Sequence, residues 1–185
     1  MPNPTQQTED TRLGGQPLKS IVFTEDLIQA RIREMGAEIS QTYTAADKLL
    51  VVGLLKGSFL FMADLVRAIG LPLHVDFLVA ASYGAGKVSS GEVRLLYDPE
   101  ASLKGRSVIL VEDIVDSGAT LNRLLPRLGA RNPASIEVCA LLHKRLTVLD
   151  REPRWVGFDA PNDFLVGYGL DYAEDFRHLP YIASL

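Results

Sequence analysis

The sequence contains a single cysteine, Cys139, among its 185 residues. One cysteine cannot form an intramolecular disulfide, and it excludes metal sites built from several cysteines. Cys139 lies in the apolar run at residues 136–142, where a small buried side chain is the expected role. The chain also lacks an apolar stretch as long as a membrane span, and its N-terminus lacks the basic and then apolar order of a signal peptide. We therefore expect a cytoplasmic location and no contact with a membrane.

The sequence has no large excess of charge of either sign. Its formal net charge is -4 and its pI is about 5.4. These values argue against a broad basic surface that binds nucleic acid. They are compatible with a local basic pocket that binds phosphate. We expect small-molecule partners and no nucleic acid.

The length and composition favour one compact domain. A chain of 185 residues with 47% hydrophobic content can bury one sizeable core. Residues 1–19 contain almost no large apolar side chain, so we expect a flexible tail there and a single domain over residues 20–185.

Apolar patterns predict alternating strands and helices after residue 20. A helix begins near Thr24 and ends near Tyr43. Further helices are predicted at residues 58–69 and 119–128, and strands at residues 49–55, 73–80, 93–97, 108–111, 136–142, 155–158 and 164–168. This alternation predicts an α/β fold with a mostly parallel sheet and helices on both faces.

The most specific segment is residues 108–121, which reads VILVEDIVDSGATL. Its apolar start suits a strand buried on both faces, and its small residues around Gly118 let backbone amides converge where a helix begins. Such a helix start attracts phosphate. Glu112 and Asp113 lie at the carboxyl end of the strand, where carboxylates can hold sugar hydroxyls or a divalent metal. With Asp116 between the two subsites, this order describes a site for a phosphorylated sugar.

Two further segments have features of a phosphate site. Lys56 and Gly57 follow a predicted strand and precede a helix, where a lysine and free amides can hold a phosphate, although such a lysine is also the ordinary first solvated residue after a buried strand. Residues 82–92 are rich in glycine and serine, which predicts a mobile flap that closes over reactive intermediates. The flap is not an ATP-binding loop, because Lys87 is followed by valine and the glycine spacing is wrong.

Two side chains near the C-terminal end suit recognition of a purine. Lys144 follows a predicted strand, and its ammonium can donate to an exocyclic oxo group while disfavouring an amino group. Phe164 could supply a stacking face. Both could equally mark ordinary strand ends. The histidines show no metal-ligand spacing to one another, and we expect structural or surface roles for His74, His143 and His178.

Residues 108–121 resemble the signature of the type I phosphoribosyltransferases, which bind phosphoribosyl pyrophosphate (PRPP). The other segments resemble, in the same order, those of the members that act on 6-oxopurines, the hypoxanthine-guanine phosphoribosyltransferases. The resemblance spans residues 21–181. It implies the type I phosphoribosyltransferase fold with a small hood formed by the two chain ends. It also implies conversion of hypoxanthine or guanine and PRPP to IMP or GMP and pyrophosphate, with Mg²⁺, by a homodimer or homotetramer.

The resemblance assigns a role to each motif residue. Asp116 is the catalytic candidate, a general base for the purine imidazole nitrogen. The residues implied for the 5′-phosphate are Asp116, Ser117, Gly118, Ala119, Thr120 and Leu121, and those for the ribose are Glu112 and Asp113. The residues implied for pyrophosphate are Lys56, Gly57 and Arg177, with Ser82 and Tyr83 in the flexible loop above them. The residues implied for the purine are Lys144, Phe164 and Leu165, and those for the metal are Glu112, Asp113 and Asp171. In the family, the Leu-Lys-Gly turn carries a non-proline cis peptide bond.

The sequence departs from the family pattern in three places. Ala119 stands where some members carry lysine, so backbone amides must hold more of the 5′-phosphate. Residues 146–149 are apolar where relatives often place a basic residue for pyrophosphate, and Asp163 stands where some relatives have lysine. Two alternatives stay open. One is a regulator that keeps the PRPP fold to sense nucleotides and binds nucleic acid, and the other is a transferase for xanthine or a pyrimidine.

Overall fold

The computed structural model describes residues 10–82, 93–146 and 149–185. Its strands are β1 (Ser20–Phe23), β2 (Leu50–Leu55), β3 (His74–Ser82), β4 (Val93–Tyr97), β5 (Ser107–Val115), β6 (Ser135–His143), β7 (Trp155–Asp159), β8 (Leu165–Val166) and β9 (Ile182–Ser184). Its α-helices are α1 (Glu25–Thr42), α2 (Phe59–Ala68) and α3 (Ala119–Gly129). None of the helices in these ranges is long and apolar enough to cross a membrane.

The main sheet has six strands in the order β4-β3-β2-β5-β6-β7. Strands β3, β2, β5, β6 and β7 are parallel, and β4 is an antiparallel edge strand. Helices α1 and α2 share one hydrophobic cluster with the sheet, and α3 shares the other. The predicted α/β fold, a mostly parallel sheet with helices on both faces, is confirmed.

The central strands are apolar because they are buried on both faces. Along β2, Val51 belongs to the cluster that contains α1 and α2, whereas Leu50 and Val52 belong to the cluster that contains α3. Cys139 lies in the first cluster with no exposed surface, which confirms its role as a small core residue. Burial raises the pKa of this thiol, so it stays protonated and unreactive.

A second, smaller sheet joins the two ends of the chain. It has the antiparallel order β1-β9-β8, and Ser20 pairs with Ser184. A third hydrophobic cluster covers it and includes Leu13, which is 5% exposed. We expected residues 10–19 in the flexible tail. Leu13 is buried here, and Asp10 accepts a hydrogen bond of 2.9 Å from the hydroxyl of Tyr181, so these two residues pack with the small sheet. The division of the chain at residue 19 stays a prediction. Residues 1–9 lie outside the described part of the chain.

Candidate active site at the carboxyl end of the sheet

The carboxyl ends of β2 and β5 and the start of α3 border one cavity of about 180 Å³. Its polar lining comes from Glu112 and Asp113 of β5, Gly57 after β2 and Thr120 of α3. This is the edge at which open α/β sheets bind ligands, because the loops after parallel strands diverge there. The structure therefore brings three of the predicted subsites, those for 5′-phosphate, ribose and pyrophosphate, to a single cavity.

Of the two adjacent acids of β5, Glu112 is buried and has a carboxylate oxygen without a partner among the described residues. Glu112 is 8% exposed, and its Oε2 has no hydrogen-bond partner within residues 10–82, 93–146 and 149–185. Burial raises the pKa of Glu112 well above its ordinary value, and the neighbouring charge of Asp113 raises it further. Burial also raises the pKa of Asp113 to about 6, against the opposing effect of hydrogen bonds from backbone amides and the charge of Arg177. A buried carboxyl oxygen without a partner calls for a donor, and a ligand hydroxyl or a cation would supply it.

The turn after β2 lies directly against these acids. A Cβ atom at Gly57 would lie 1.6 Å from Oδ2 of Asp113, so only glycine fits there. The peptide bond between Leu55 and Lys56 is cis, as the resemblance implied. The ammonium of Lys56 lies 3.0 and 3.1 Å from the two carboxylate oxygens of Glu174. Lys56 is therefore held near the cavity by a partner that the sequence did not reveal.

The start of α3 has the geometry of a phosphate site. Gly118 has a φ of +72°, a left-handed conformation that favours glycine, and it precedes the first helical residue, Ala119. The first amides of a helix have no partner within the helix, so they are available to an anion. The amide of Ala119 faces Oγ of Ser117 at 3.5 Å. Leu149 packs on Gly118, because a Cβ atom there would lie 1.9 Å from Cδ2 of Leu149.

The packing on Gly118 explains why one residue of the apolar run at residues 146–149, Leu149, is not basic. Leu149 is 6% exposed and belongs to the cluster that contains α3, so it packs against the loop that precedes this helix. Leu146 is 48% exposed, and residues 147 and 148 lie outside the described part of the chain. At position 149 a basic side chain would lose this packing.

Asp116, the candidate base, lies next to Lys144, the candidate donor to the oxo group of a purine. The ammonium of Lys144 lies 3.4 Å from Oδ2 of Asp116, and the amide of Lys144 donates to the carbonyl of Val115 at 2.9 Å. This contact follows from the pairing of β5 with β6, whose carboxyl ends carry the two residues. Asp116 is largely exposed, whereas the side chain of Lys144 is mostly buried.

The candidate stacking residue presents an open face. Phe164 is 55% exposed and meets Tyr172 edge to face, with 5.7 Å between ring centroids. Leu165 is buried in β8, where it pairs with Ser184 of β9. Its side chain therefore packs in the core, and only its backbone suits the contact with a base that the resemblance implied.

Arg177 binds three residues of the segment that follows β8 in the small sheet. Its Nη2 lies 2.8 Å from Oδ1 of Asp171 and 3.3 Å from Oε2 of Glu174, and its Nη1 donates to the carbonyl of Gly169 at 2.8 Å. Its buried Nε has no hydrogen-bond partner in the part of the chain that the structure describes. Glu174 joins Arg177 to Lys56, and hydrogen bonds from both hold its pKa below the ordinary value. No pattern in the sequence indicated this bridging role.

The three carboxylates predicted to bind a metal are not gathered into one site. Within residues 10–82, 93–146 and 149–185, no group of three His, Cys, Asp or Glu side chains is placed to hold a metal. Asp171 pairs with Arg177 instead, while Glu112 and Asp113 remain together at the cavity. A pair of carboxylates suits Mg²⁺, which commonly takes its remaining ligands from water and substrate phosphates. The buried, unpartnered Oε2 of Glu112 fits that use.

The predicted flap lies almost wholly outside the described residues. Ser82 is the last residue of β3, and only its backbone is described. Tyr83 and the rest of the flap, through residue 92, fall in the gap. The roles implied for Ser82 and Tyr83 stay predictions.

The chain is similar to known proteins over most of its length. The model of the phosphoribosyl transferase domain matches residues 22–173. A hypoxanthine-guanine phosphoribosyltransferase of Mycobacterium bovis is 48% identical over 174 residues, which cover 91% of this chain and 86% of the relative. A hypoxanthine phosphoribosyltransferase of Haemophilus influenzae is 44% identical over 168 residues, which cover 89% and 94% of the two chains.

Solved structures give the same result. The crystal structure of a hypoxanthine phosphoribosyltransferase from Staphylococcus aureus superposes with a TM-score of 0.86 at 40% identity, covering 91% of each chain. The predicted resemblance and the type I fold are confirmed. The match of the domain model to more than half of the sequence, and the identity of the relatives over nearly all of it, make the chain a member of the phosphoribosyltransferase family.

Proposed function

We propose that this chain transfers the phosphoribosyl group of PRPP to hypoxanthine or guanine, giving IMP or GMP and pyrophosphate in purine salvage. The Glu112–Asp113 pair, the start of α3 and the turn at Gly57 meet at one cavity, which supports this function. These groups match the ribose, the 5′-phosphate and the pyrophosphate of one PRPP molecule. The relatives named hypoxanthine-guanine and hypoxanthine phosphoribosyltransferase support the choice of acceptor.

The ribose and its 5′-phosphate would lie between β5 and α3. Hydroxyl groups of the ribose would donate to Glu112 and Asp113, supplying the partner that Oε2 of Glu112 lacks. The 5′-phosphate would accept from backbone amides at residues 117–121, assisted by the hydroxyls of Ser117 and Thr120. Ala119 contributes only its amide, so the loop relies on backbone donors.

Pyrophosphate would bind beside the turn that precedes α2. Lys56, Gly57 and Arg177 are the proposed contacts, and Lys56 and Arg177 are already held near one another by Glu174. Enzymes of this family generally need a divalent metal. We take the metal to be Mg²⁺, held by Glu112 or Asp113 together with oxygens of PRPP. The chemistry that a bound Mg²⁺ supplies is neutralisation of the charge on the leaving pyrophosphate.

The purine would present one edge to Lys144 and Asp116. A 6-oxopurine carries its oxo group and its N7 nitrogen on the same edge. The 3.4 Å between the ammonium of Lys144 and the carboxylate of Asp116 suits those two neighbouring atoms. Lys144 would donate to the oxo group, and Asp116 would take the imidazole proton as the glycosidic bond forms. Phe164 would stack on the ring, and the backbone of Leu165 would meet the 2-position.

The other functions considered from the sequence are not favoured. The similar proteins carry names of hypoxanthine and hypoxanthine-guanine transferases, which gives no support to a nucleic-acid-binding regulator or to a transferase for xanthine or a pyrimidine. We further propose that the enzyme acts in the cytoplasm as a homodimer or homotetramer. Light scattering of the purified chain measures that assembly state, and a monomer at assay concentration would contradict it.

The proposed function is tested by product formation in the wild type and in Asp116→Asn. The wild type is expected to form IMP and pyrophosphate from hypoxanthine and PRPP when Mg²⁺ is present. Asp116→Asn is expected to lower kcat by about 10²-fold or more, the usual contribution of a general base, with little change in the Kd for PRPP. Absence of IMP with the wild type would refute the function, and normal turnover by Asp116→Asn across the pH range would refute the base.

A further inference from the structure

Three consecutive residues of the segment after β8 adopt left-handed backbone conformations. Gly167, Tyr168 and Gly169 have φ values of +94°, +48° and +100°. Only the middle residue has a side chain, and that side chain is buried, with 4% of Tyr168 exposed. The amide of Tyr168 donates to the carbonyl of Leu179 at 2.8 Å. We call residues 167–169 the strap.

The hydroxyl of Tyr168 ties the strap to α2. It donates a hydrogen bond to Oδ2 of Asp64, a residue of α2. The same oxygen accepts from Nε2 of Gln29 on α1 at 2.7 Å, and Arg67 contacts the other carboxylate oxygen. Burial raises the pKa of the Tyr168 phenol, as does the hydrogen bond to Asp64, so the group stays a donor. Asp64 is thus a fixed acceptor held by both helices.

The residue after Tyr168 touches the proposed pyrophosphate subsite. A Cβ atom at Gly169 would lie 2.0 Å from the carbonyl oxygen of Gly57. The carbonyl of Gly169 in turn accepts from Nη1 of Arg177 at 2.8 Å, and the amide of Gly169 donates to the carbonyl of Arg177 at 2.9 Å. The strap therefore lies between the two pyrophosphate candidates, Gly57 and Arg177, and contacts both.

We propose that Tyr168, acting through Asp64, is a positioning residue for the pyrophosphate end of PRPP. Helix α2 begins directly after the turn at Gly57, so a bond between Tyr168 and α2 fixes the distance between that turn and Arg177. The proposal rests on the proposed function of the chain. Tyr168 makes no contact with the substrate in this role. It fixes the turn at Gly57 relative to Arg177, on the two sides of the pyrophosphate subsite.

The test compares Tyr168→Phe with the matched variant Tyr181→Phe. Tyr181 also donates its hydroxyl to an aspartate, Asp10, at 2.9 Å, but that bond lies within the hood and does not reach α2. Tyr168→Phe is expected to raise the KM for PRPP and the Kd for pyrophosphate roughly tenfold, the effect of losing one hydrogen bond to a charged group. The KM for hypoxanthine is expected to stay within about twofold, and Tyr181→Phe is expected to change none of the three.

A second variant keeps the test decisive if Tyr168→Phe folds poorly. Asp64→Asn weakens the same bond from α2, and it is expected to raise the same two constants. The double variant should then be no worse than the more affected single variant, because both changes act on one contact. The inference is overturned if Tyr168→Phe lowers only Tm, or if it raises the constants for pyrophosphate and hypoxanthine equally.

Calorimetric titration with pyrophosphate separates this inference from the proposed function. A wild type that binds pyrophosphate and forms IMP, together with an unaffected Tyr168→Phe, refutes the positioning role alone. A wild type that neither binds pyrophosphate nor forms IMP refutes the proposed function itself.

Discussion

Replacing Gly57 with alanine should displace the carboxylate of Asp113. The added Cβ would lie 1.6 Å from Oδ2 and 2.5 Å from Cγ, whereas such contacts are essentially never shorter than 3.0 Å. One of the two groups must therefore move by about 1.4 Å, the difference between 3.0 and 1.6 Å. Gly57 does not have a left-handed φ, so backbone strain adds nothing to the effect.

The size of the effect follows from that displacement. Inserting a methyl group into a close-packed site usually costs about 1–3 kcal/mol of the free energy of unfolding. A displacement of about 1 Å at a catalytic site can lower the rate about 10²-fold. We expect Gly57→Ala to lower kcat/KM for PRPP to that extent, measured by the rate of IMP formation, and to lower the free energy of unfolding measured in urea.

A double-mutant cycle isolates the contact. In an Asp113→Ala background the colliding atoms are gone, so Gly57→Ala should then cost less than about 0.5 kcal/mol of unfolding free energy. Gly129→Ala serves as the control, because Gly129 ends α3 and none of the described residues places an atom within 4 Å of an added Cβ. An equal loss of stability from Gly57→Ala in both backgrounds, or an unchanged kcat/KM for PRPP, would show that the added Cβ does not displace Asp113.

Three further predictions concern separate parts of the site. Lys144→Met should raise the KM for hypoxanthine about tenfold while changing that for PRPP little, since it removes the donor to the oxo group; equal changes in steady-state KM would contradict the role. Gly118→Ala should weaken PRPP binding in calorimetry, because the left-handed φ and Leu149 both oppose the new side chain; an unchanged Kd would contradict this. The pKa of Asp113 is raised from 3.8 to about 6 in the folded protein, so the protonated carboxyl stabilises the fold. This contribution to the free energy of unfolding is complete below about pH 3.8 and is lost as the pH rises through about 6. Urea unfolding of the ligand-free wild type should show this loss relative to Asp113→Asn, and parallel pH profiles would contradict it.

The parallel sheet could be predicted because its central strands are continuous apolar runs separated by helical patterns. Residues buried on both faces need no alternation, and that signal is local in the sequence. The motif strand β5 is longer than predicted, running from Ser107 to Val115 through the two acids. The polar residues Glu112 and Asp113 hid that continuation, because buried acids are rare outside functional sites.

The small sheet could not be predicted in the same way. Strand β8 has two residues and β9 has three, which is too short for any periodicity. Its pairing joins Ser20 to Ser184, residues at opposite ends of the chain. The burial of Leu13 depends on that long-range contact, so composition alone assigned it to a tail.

Within the site, the sequence indicated Asp116 and Lys144, because a carboxylate can act as a base and an ammonium can donate to an oxo group. The closeness of Asp116 and Lys144 follows from the neighbouring ends of β5 and β6. The pairing of Asp171 with Arg177 and the bridge formed by Glu174 depend on how the segment folds back on itself, which no motif encodes. Tyr168 carried no signal, because a buried tyrosine in an apolar segment is usually part of the core.

If the cavity beside Glu112 and Asp113 transfers phosphoribosyl groups to a 6-oxopurine held by Lys144, the enzyme must prefer bases that carry an oxo group. Steady-state kcat/KM for hypoxanthine, guanine and xanthine, with adenine and uracil as controls, tests it most directly. Turnover of hypoxanthine or guanine is expected to be at least about 10²-fold above that of adenine, because Lys144 can donate to an oxo group but cannot accept from an amino group. Turnover of adenine alone would contradict it.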